Sequence, residues 1–405
     1  MPTQKKSGNP ANNEKLTGTV SLYSNSPFQA TGYGQQGGYL VDRLKRHGAD
    51  VAALSNYGLE GITSTLKTAH GEITHYARGM DMYSNDVAPN HHINFSAQFP
   101  KQKSLLITLY DVWVMQGKGW DNIDRIASWV PLDHVTMPPL VEKWLRKDNV
   151  TPIAMAPFGV EQMAAKGIEC EYVPHAIETK IFKPTENVGQ QKTRDYMGIT
   201  DDQFLVGIVA ANKSSGLVHR KAFSENLLSF SIFRQKHPDA VLYLHTDPVG
   251  PGGWNLLKIL TAYGIPKESV LFPAPMDYRY GMTQEHLASL YTAMDVLLAP
   301  CYGGGFELPI MEAQACGTRV ITSSWTAPKD LISEDGWLVE GQPQWDSGQD
   351  ATWMIPNVSS TVNALEAAYK AERGTSQKAI DFAKGFDVEH VWHKYWMPTL
   401  KKLLK

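Results

Sequence analysis

From Thr19 onward, short apolar runs alternate with longer stretches in which apolar residues recur every three or four positions. The short runs have strand length and the longer ones helical spacing, and their repeated alternation predicts parallel sheets covered by helices on both faces. In the first half, strands are expected at 20–24, 50–54, 104–110, 151–156 and 170–174, and helices at 35–47, 139–147 and 161–166, with Gly48 and Gly167 as stop signals. A polar stretch at 185–194, containing Gly189, Gln190 and Gln191, reads as a linker. A second series follows, with strands at 204–210, 241–245, 270–273, 296–300 and 319–323. Phe223, Leu227, Phe230 and Phe233 fall on one helical face after its first strand, and further helices are expected at 255–263, 285–293 and 308–315. Two doubly wound domains of this kind place a cleft at the carboxyl ends of their strands, where ligands bind in such sheets.

Composition narrows the possibilities. The chain has 405 residues, 42% of them hydrophobic and 20% charged, which suits a globular protein of two or three domains. Lys and Arg number 38 against 41 Asp and Glu, a net charge of −3, and no basic track marks a surface for nucleic acid. The longest apolar runs are strand-sized, well short of the roughly 20 residues of a membrane span. The first fifteen residues are polar and lack a signal-like apolar core, so 1–16 is expected to be a flexible tail. Three cysteines, Cys170, Cys301 and Cys316, show no metal-ligand spacing, which points away from a disulfide framework and towards a reducing, cytoplasmic setting.

The most informative stretch is 303–317, Gly-Gly-Gly-Phe-Glu-Leu-Pro-Ile-Met-Glu-Ala-Gln-Ala-Cys-Gly. Three glycines after a strand, followed by a helix with Pro309 near its first position, form a turn whose amides and dipole suit an anion such as phosphate. A plain strand-to-helix turn is the alternative. Upstream, His219-Arg220-Lys221 places two cations at a helix start, where the dipole disfavours them unless an anion is bound. Gly32-Tyr33-Gly34-Gln35-Gln36-Gly37 satisfies GxGxxG, but Asn25 to Thr31 separate it from the preceding strand, unlike the tight dinucleotide turn. A nicotinamide-dependent dehydrogenase is therefore the weaker reading.

The 303–317 stretch resembles the donor loop of family-4 retaining glycosyltransferases of the GT-B fold, E-G-F-G-L-P-x-x-E-A, through Gly305, Phe306, Leu308, Pro309, Glu312 and Ala313. The register departs at two places: the family's first glutamate falls on Gly304, and its second glycine on Glu307. Residues 172–178 with Phe182-Lys183-Pro184 resemble the family's interdomain segment, Asp295 to Pro300 its A-D-V-x-x-x-P strand, and Phe386 to His390 the start of its final helix. The resemblance implies two Rossmann-like domains facing across a cleft: 17–184 on the acceptor side, 185–385 binding the nucleotide sugar, and 386–405 crossing back to the first domain. It implies that Arg220 and Lys221 neutralise the donor diphosphate and that Glu312 binds the ribose. Gly32, Tyr33, Gly34, Asn212, Lys213, Phe272, Gly304, Gly305, Phe306 and Leu308 are the further donor-binding candidates, with Asp111 and Glu307 as catalytic candidates. His134 is a further residue expected to face the cleft.

The expected chemistry is transfer of a sugar, hexosyl or pentosyl, from a UDP- or GDP-linked donor to a hydroxyl with retained configuration. No cofactor and no metal are implied, and no Asp-x-Asp occurs in the chain. The acceptor is a glycan, a small molecule or, since similar sequences occur in phage, a modified DNA base. Gly304 in place of the glutamate leaves a catalytically silent nucleotide-sugar or glycan-binding protein as the alternative.

Overall fold

Strands β1 (Thr19–Asn25), β2 (Asp50–Tyr57), β3 (Ser64–Thr68), β4 (Gly71–Tyr76), β5 (Ser104–Leu109), β6 (Ile126–Val130), β7 (Val150–Ala154) and β8 (Glu171–Tyr172) form one sheet in the order β3-β4-β2-β1-β5-β6-β7-β8. Only β3 and β4 pair antiparallel. A second sheet, wholly parallel, contains β9 (Phe204–Val209), β10 (Ala240–His245), β11 (Val270–Leu271), β12 (Val296–Leu298), β13 (Arg319–Ser323) and β14 (Trp337–Val339) in the order β11-β10-β9-β12-β13-β14. An antiparallel hairpin, β15 (Gly341–Asp346) with β16 (Ala351–Pro356), stands apart from both sheets. These facts come from a computed structural model that describes residues 14–27, 29–185, 187–214 and 218–405.

The central strands owe their place to composition. β9 (FLVGIV) and β10 (AVLYLH) are almost continuously apolar, as strands covered by helices on both faces must be. Phe223, Leu227, Phe230 and Phe233 are all fully buried against this sheet on the helix Phe223–Lys236. Burying each such side chain contributes on the order of 2–3 kcal/mol. The first helix, Gly32–Arg46, is capped by Thr31, whose hydroxyl accepts from Gly34 N at 3.0 Å.

Several expectations need correction. The stretch read as a linker carries a helix, Asn187–Met197, held by Gln190 Nε2 donating to Thr292 O at 2.8 Å and by buried Arg194. Its polar composition reflects an exposed helix face. Residues 1–13 of the predicted tail lie outside the described residues, whereas Leu16 is buried and its N–H donates to His47 O at 2.8 Å. The hairpins β3–β4 and β15–β16 were not expected, because short polar strands lack the apolar runs that mark the central ones.

After Asp387, which caps the helix Val388–Val391, the chain continues through a π-helical turn at Trp392–Trp396 into the helix Met397–Leu403. This segment lies on the first domain. Glu389 pairs with Arg43 at 2.6 Å and Arg46 at 2.7 Å, Trp392 Nε1 donates to His47 Nε2 at 3.0 Å, and Trp396 packs edge-on to Trp129. The two sheets are therefore tied together by the chain's own end.

Candidate active site

Among the parallel strands of each sheet the order reverses once, between β1 and β5 in the first and between β9 and β12 in the second. The crevice at the carboxyl ends of such a pair is the preferred ligand position in open parallel sheets. The helix Gly32–Arg46 follows β1 and Asp111 follows β5. On the other side, the ends of β9 and β12 line a small cavity with Lys221, Asn226, Glu307 and Pro309. The two reversal points meet where Leu308 packs on Gly32, at which a Cβ would lie 3.3 Å from the leucine Cδ1.

The charged centre of this cleft is a trio. Arg220 and Lys221 lie just before the helix Phe223–Lys236, whose capping residue Ala222 has a left-handed backbone, φ 50°. Lys221 Nζ bonds the Glu307 carboxylate, Arg220 Nη1 lies 3.4 Å from its other oxygen, and the same Nη1 donates to Gly303 O at 2.6 Å. The anion expected beside these cations is thus, in this structure, a protein carboxylate. Burial pushes the Glu307 carboxyl up, but Lys221 and Arg220 outweigh it and hold the group below its ordinary value. Burial acts to lower the Arg220 pKa, yet Glu307 and Asp133 raise it overall.

The glycines of the loop answer to close approach. At Gly303 a Cβ would lie 1.7 Å from Asp133 O, and at Gly305 2.4 Å from Pro131 Cβ, both on the first domain. At Gly304 it would lie 2.5 Å from Glu307 Cγ. The backbone of Gly304 is engaged as well, its N–H donating to Thr326 Oγ1 at 3.2 Å and its carbonyl accepting from Ala327 N at 3.2 Å.

On the first-domain side, Tyr33 O–H donates to Asp111 Oδ2 at 3.4 Å. Burial, aided by Asp133, pushes the Asp111 carboxyl up to about 6. Asp133 lies 3.9 Å from Arg220 Nη1 and 2.8 Å from His134 Nδ1. His134 does not reach the cleft: its Nε2 lies 3.1 Å from Asp346 on the β15–β16 hairpin, and its ring stacks on Trp353. Burial disfavours the charged imidazole, but the two carboxylates outweigh it and raise its pKa. The histidine joins the domains and steadies Asp133.

Other candidates divide. Glu312 is buried, accepting from Tyr291 O–H at 2.9 Å and bonded to Gln35 of the first domain, so its carboxylate lies in the interface and not on an open cleft wall. Burial raises it to about 7 against these two hydrogen bonds. Asn212 is turned from the cleft by full engagement, its Nδ2 donating to Asp247 O and Trp254 O and its Oδ1 accepting from Trp254 N. It therefore holds the 247–254 loop. Phe306 also departs from expectation: its buried ring packs against His175 and Phe386 at the domain hinge. Lys213 is exposed, and Phe272 follows the edge strand β11.

Residues 232–347 match the family model described as Glycosyl transferases group 1. An uncharacterized glycosyltransferase of Sulfolobus islandicus rod-shaped virus 1 is 25% identical over 268 residues, 63% of this chain and 74% of that protein. A sucrose-phosphate synthase from Thermosynechococcus elongatus superposes with a TM-score of 0.71 at 18% identity, covering 96% of this chain and 99% of its own. Anabaena Alr3699/HepE in complex with UDP-glucose gives 0.65 at 14% identity, covering 95% and 99%. This chain has the GT-B fold, and its residues 232–347 are similar to the group 1 glycosyl transferases. Further curated relatives, among them a GDP-mannose-dependent mannosyltransferase of Corynebacterium glutamicum that is 27% identical over 42% of this chain, are matched over less than half of their own length.

In this GT-B fold the structure adds Asp133 and Gln35 to the residues that line the meeting point of the domains. Neither carries a sequence signal, since each is placed by the approach of the opposite domain. Only the fold shows that Asp133, and not the neighbouring His134, faces Arg220. Among the described residues, no helix is long and apolar enough to cross a membrane, and no group of three or more His, Cys, Asp or Glu is placed to hold a metal ion.

Proposed function

We propose that this protein transfers a glycosyl group from a nucleoside diphosphate sugar to a hydroxyl, with retention of configuration. The observation that carries the reading is the convergence of Arg220, Lys221 and the glycine loop at the strand-order reversal of the second sheet, opposite Gly32, Tyr33 and Asp111 of the first. The bond from the anomeric carbon to the phosphate oxygen breaks, its electron pair stays on the diphosphate, and a bond to the acceptor oxygen forms on the same face. The acceptor proton passes to the departing phosphate oxygen. The main demand on the protein is stabilisation of the charge that grows on the diphosphate, which preorganised cations and amides meet without rearrangement. Arg220, with its planar fork, and Lys221, as a compact charge, take that role, aided by the amides of residues 305–308.

Glu312 takes the ribose hydroxyls once the nucleotide displaces its present partners, Tyr291 and Gln35. Asp111, beside Tyr33, orients hydroxyls of the sugar or acceptor. The nucleotide is UDP or GDP, a reading supported by the UDP-glucose complex of the HepE neighbour and by the GDP-mannose dependence named for the corynebacterial relative. The acceptor is a glycan or small molecule, given the net charge of −3. Incubation of the purified protein with UDP- and GDP-sugars should release the matching nucleoside diphosphate, with the product hydroxyl identified by mass spectrometry. Binding of a nucleotide sugar without its cleavage would leave a silent binding protein, and failure to bind any of them would overturn the donor reading.

A further inference from the structure

Glu307 has a backbone that a side chain seldom adopts. It caps the helix Leu308–Ala315 with φ 74° and ψ 74°, in the left-handed region that favours glycine. Such strain persists where surrounding contacts compensate it and concentrates at functional sites. The compensation here is the pairing with Lys221 and Arg220, and the Glu307 side chain is only 13% exposed. Its room comes from Gly304, because any Cβ there would meet Glu307 Cγ at 2.5 Å and Oε1 at 2.6 Å. Positions 304 and 307 are therefore coupled: a side chain at 304 and a carboxylate on the cations exclude one another.

Resting on the nucleoside diphosphate reading above, we propose that Glu307 is a built-in placeholder for the donor's diphosphate and thereby a specificity-determining residue. Its carboxylate neutralises Lys221 and Arg220, which otherwise would stand as two adjacent cations before a helix start. A ligand must displace it to reach them. A diphosphate carries more charge than a monophosphate and spreads it over two phosphates, so it competes better for two cations, while a nucleoside carries none. The carboxylate so released stays within the loop, three residues from Gly304, and is free to accept from hydroxyls of the sugar that follows the diphosphate.

Two substitutions remove the placeholder in different ways. Glu307→Gln keeps the shape and abolishes the charge, while Gly304→Ala keeps the charge and drives the carboxylate off the cations. Titration calorimetry of the full-length protein with UDP, GDP and UMP is the test. Both variants are expected to bind the preferred diphosphate about tenfold more tightly than wild type, the weight of one charge-assisted contact. Both should narrow the preference for UDP over UMP. Unchanged or weaker diphosphate binding in both variants, with wild type binding normally, overturns the placeholder while leaving the nucleotide-sugar reading intact. Absence of UDP and GDP binding in wild type and variants alike overturns both. Tightening in Glu307→Gln but not in the folded Gly304→Ala protein, judged by its melting profile, overturns the coupling of the two positions.

Discussion

Glu307 and Glu312 stand five residues apart on one loop and helix, both largely withdrawn from water, and their surroundings drive them in opposite directions. Glu307 faces Lys221 and Arg220 and is held ionised below its ordinary value. Glu312 faces only the neutral hydrogen-bond partners Tyr291 and Gln35, and burial lifts it to about 7. Desolvation is common to both, so the difference lies in whether a cation shares the site. The same residue type therefore serves as a fixed negative charge at one end of the segment and as a group that gains or loses its proton near neutrality at the other.

The largest expected effect lies on the charged side. Replacing Lys221 or Arg220 by Ala should lower donor turnover by about 10²- to 10³-fold, as for other groups that stabilise a developing negative charge. Arg220→Lys should recover only part, because the fork that reaches both Gly303 O and Glu307 is lost. Steady-state release of UDP or GDP measures this, and near-normal rates in both Ala variants would break the contrast between the two glutamates.

On the neutral side, the raised pKa makes a statement about stability. Folding favours protonated Glu312, so its contribution is fully present below about 4.5 and is lost as pH rises through about 7. Relative to Glu312→Gln, wild type should lose on the order of 3 kcal/mol across that window, read from urea midpoints at a series of pH values. Parallel pH profiles for the two proteins would place Glu312 in a more solvated setting. The same variant should weaken nucleotide binding by about 1.5–3 kcal/mol.

A smaller effect sharpens the comparison away from the cleft. Glu389, paired with Arg43 and Arg46, is pulled down to about 2 by these cations against the opposing effect of burial. Its contribution is present above about 4.5 and fades as pH falls through about 2. With a side chain 34% exposed, solvent screening leaves about 1 kcal/mol, which Glu389→Gln should remove at neutral pH and not at pH 2. The smallest expected effect is none: excess chelator should leave turnover unchanged if Arg220 and Lys221 carry the diphosphate. Loss of activity restored by manganese or magnesium would contradict that assignment.

Much of the architecture was legible because parallel strands buried on both faces must be continuously apolar, and β1, β5, β9, β10, β12 and β13 announce themselves in that way. The glycine loop, Arg220, Lys221 and the two glutamates were legible as residue types at a recognisable spacing. The helix Asn187–Met197 and the hairpins were not, since exposed polar faces carry little periodic signal.

What the sequence by itself determined, then, is the repeated alternation that builds two sheets and the set of charged residues delivered to their carboxyl ends. Only the tertiary structure decided which charges meet. Glu307 lies 86 residues from Lys221 along the chain, and Asp133 reaches Arg220 from the other domain. Asn212 and Phe306, chosen by position, turn away because a loop and a hinge claim their side chains first. Local pattern sets backbone conformation through nearest neighbours, whereas pairing and desolvation depend on groups brought close from distant parts of the chain, and those are absent from any local reading.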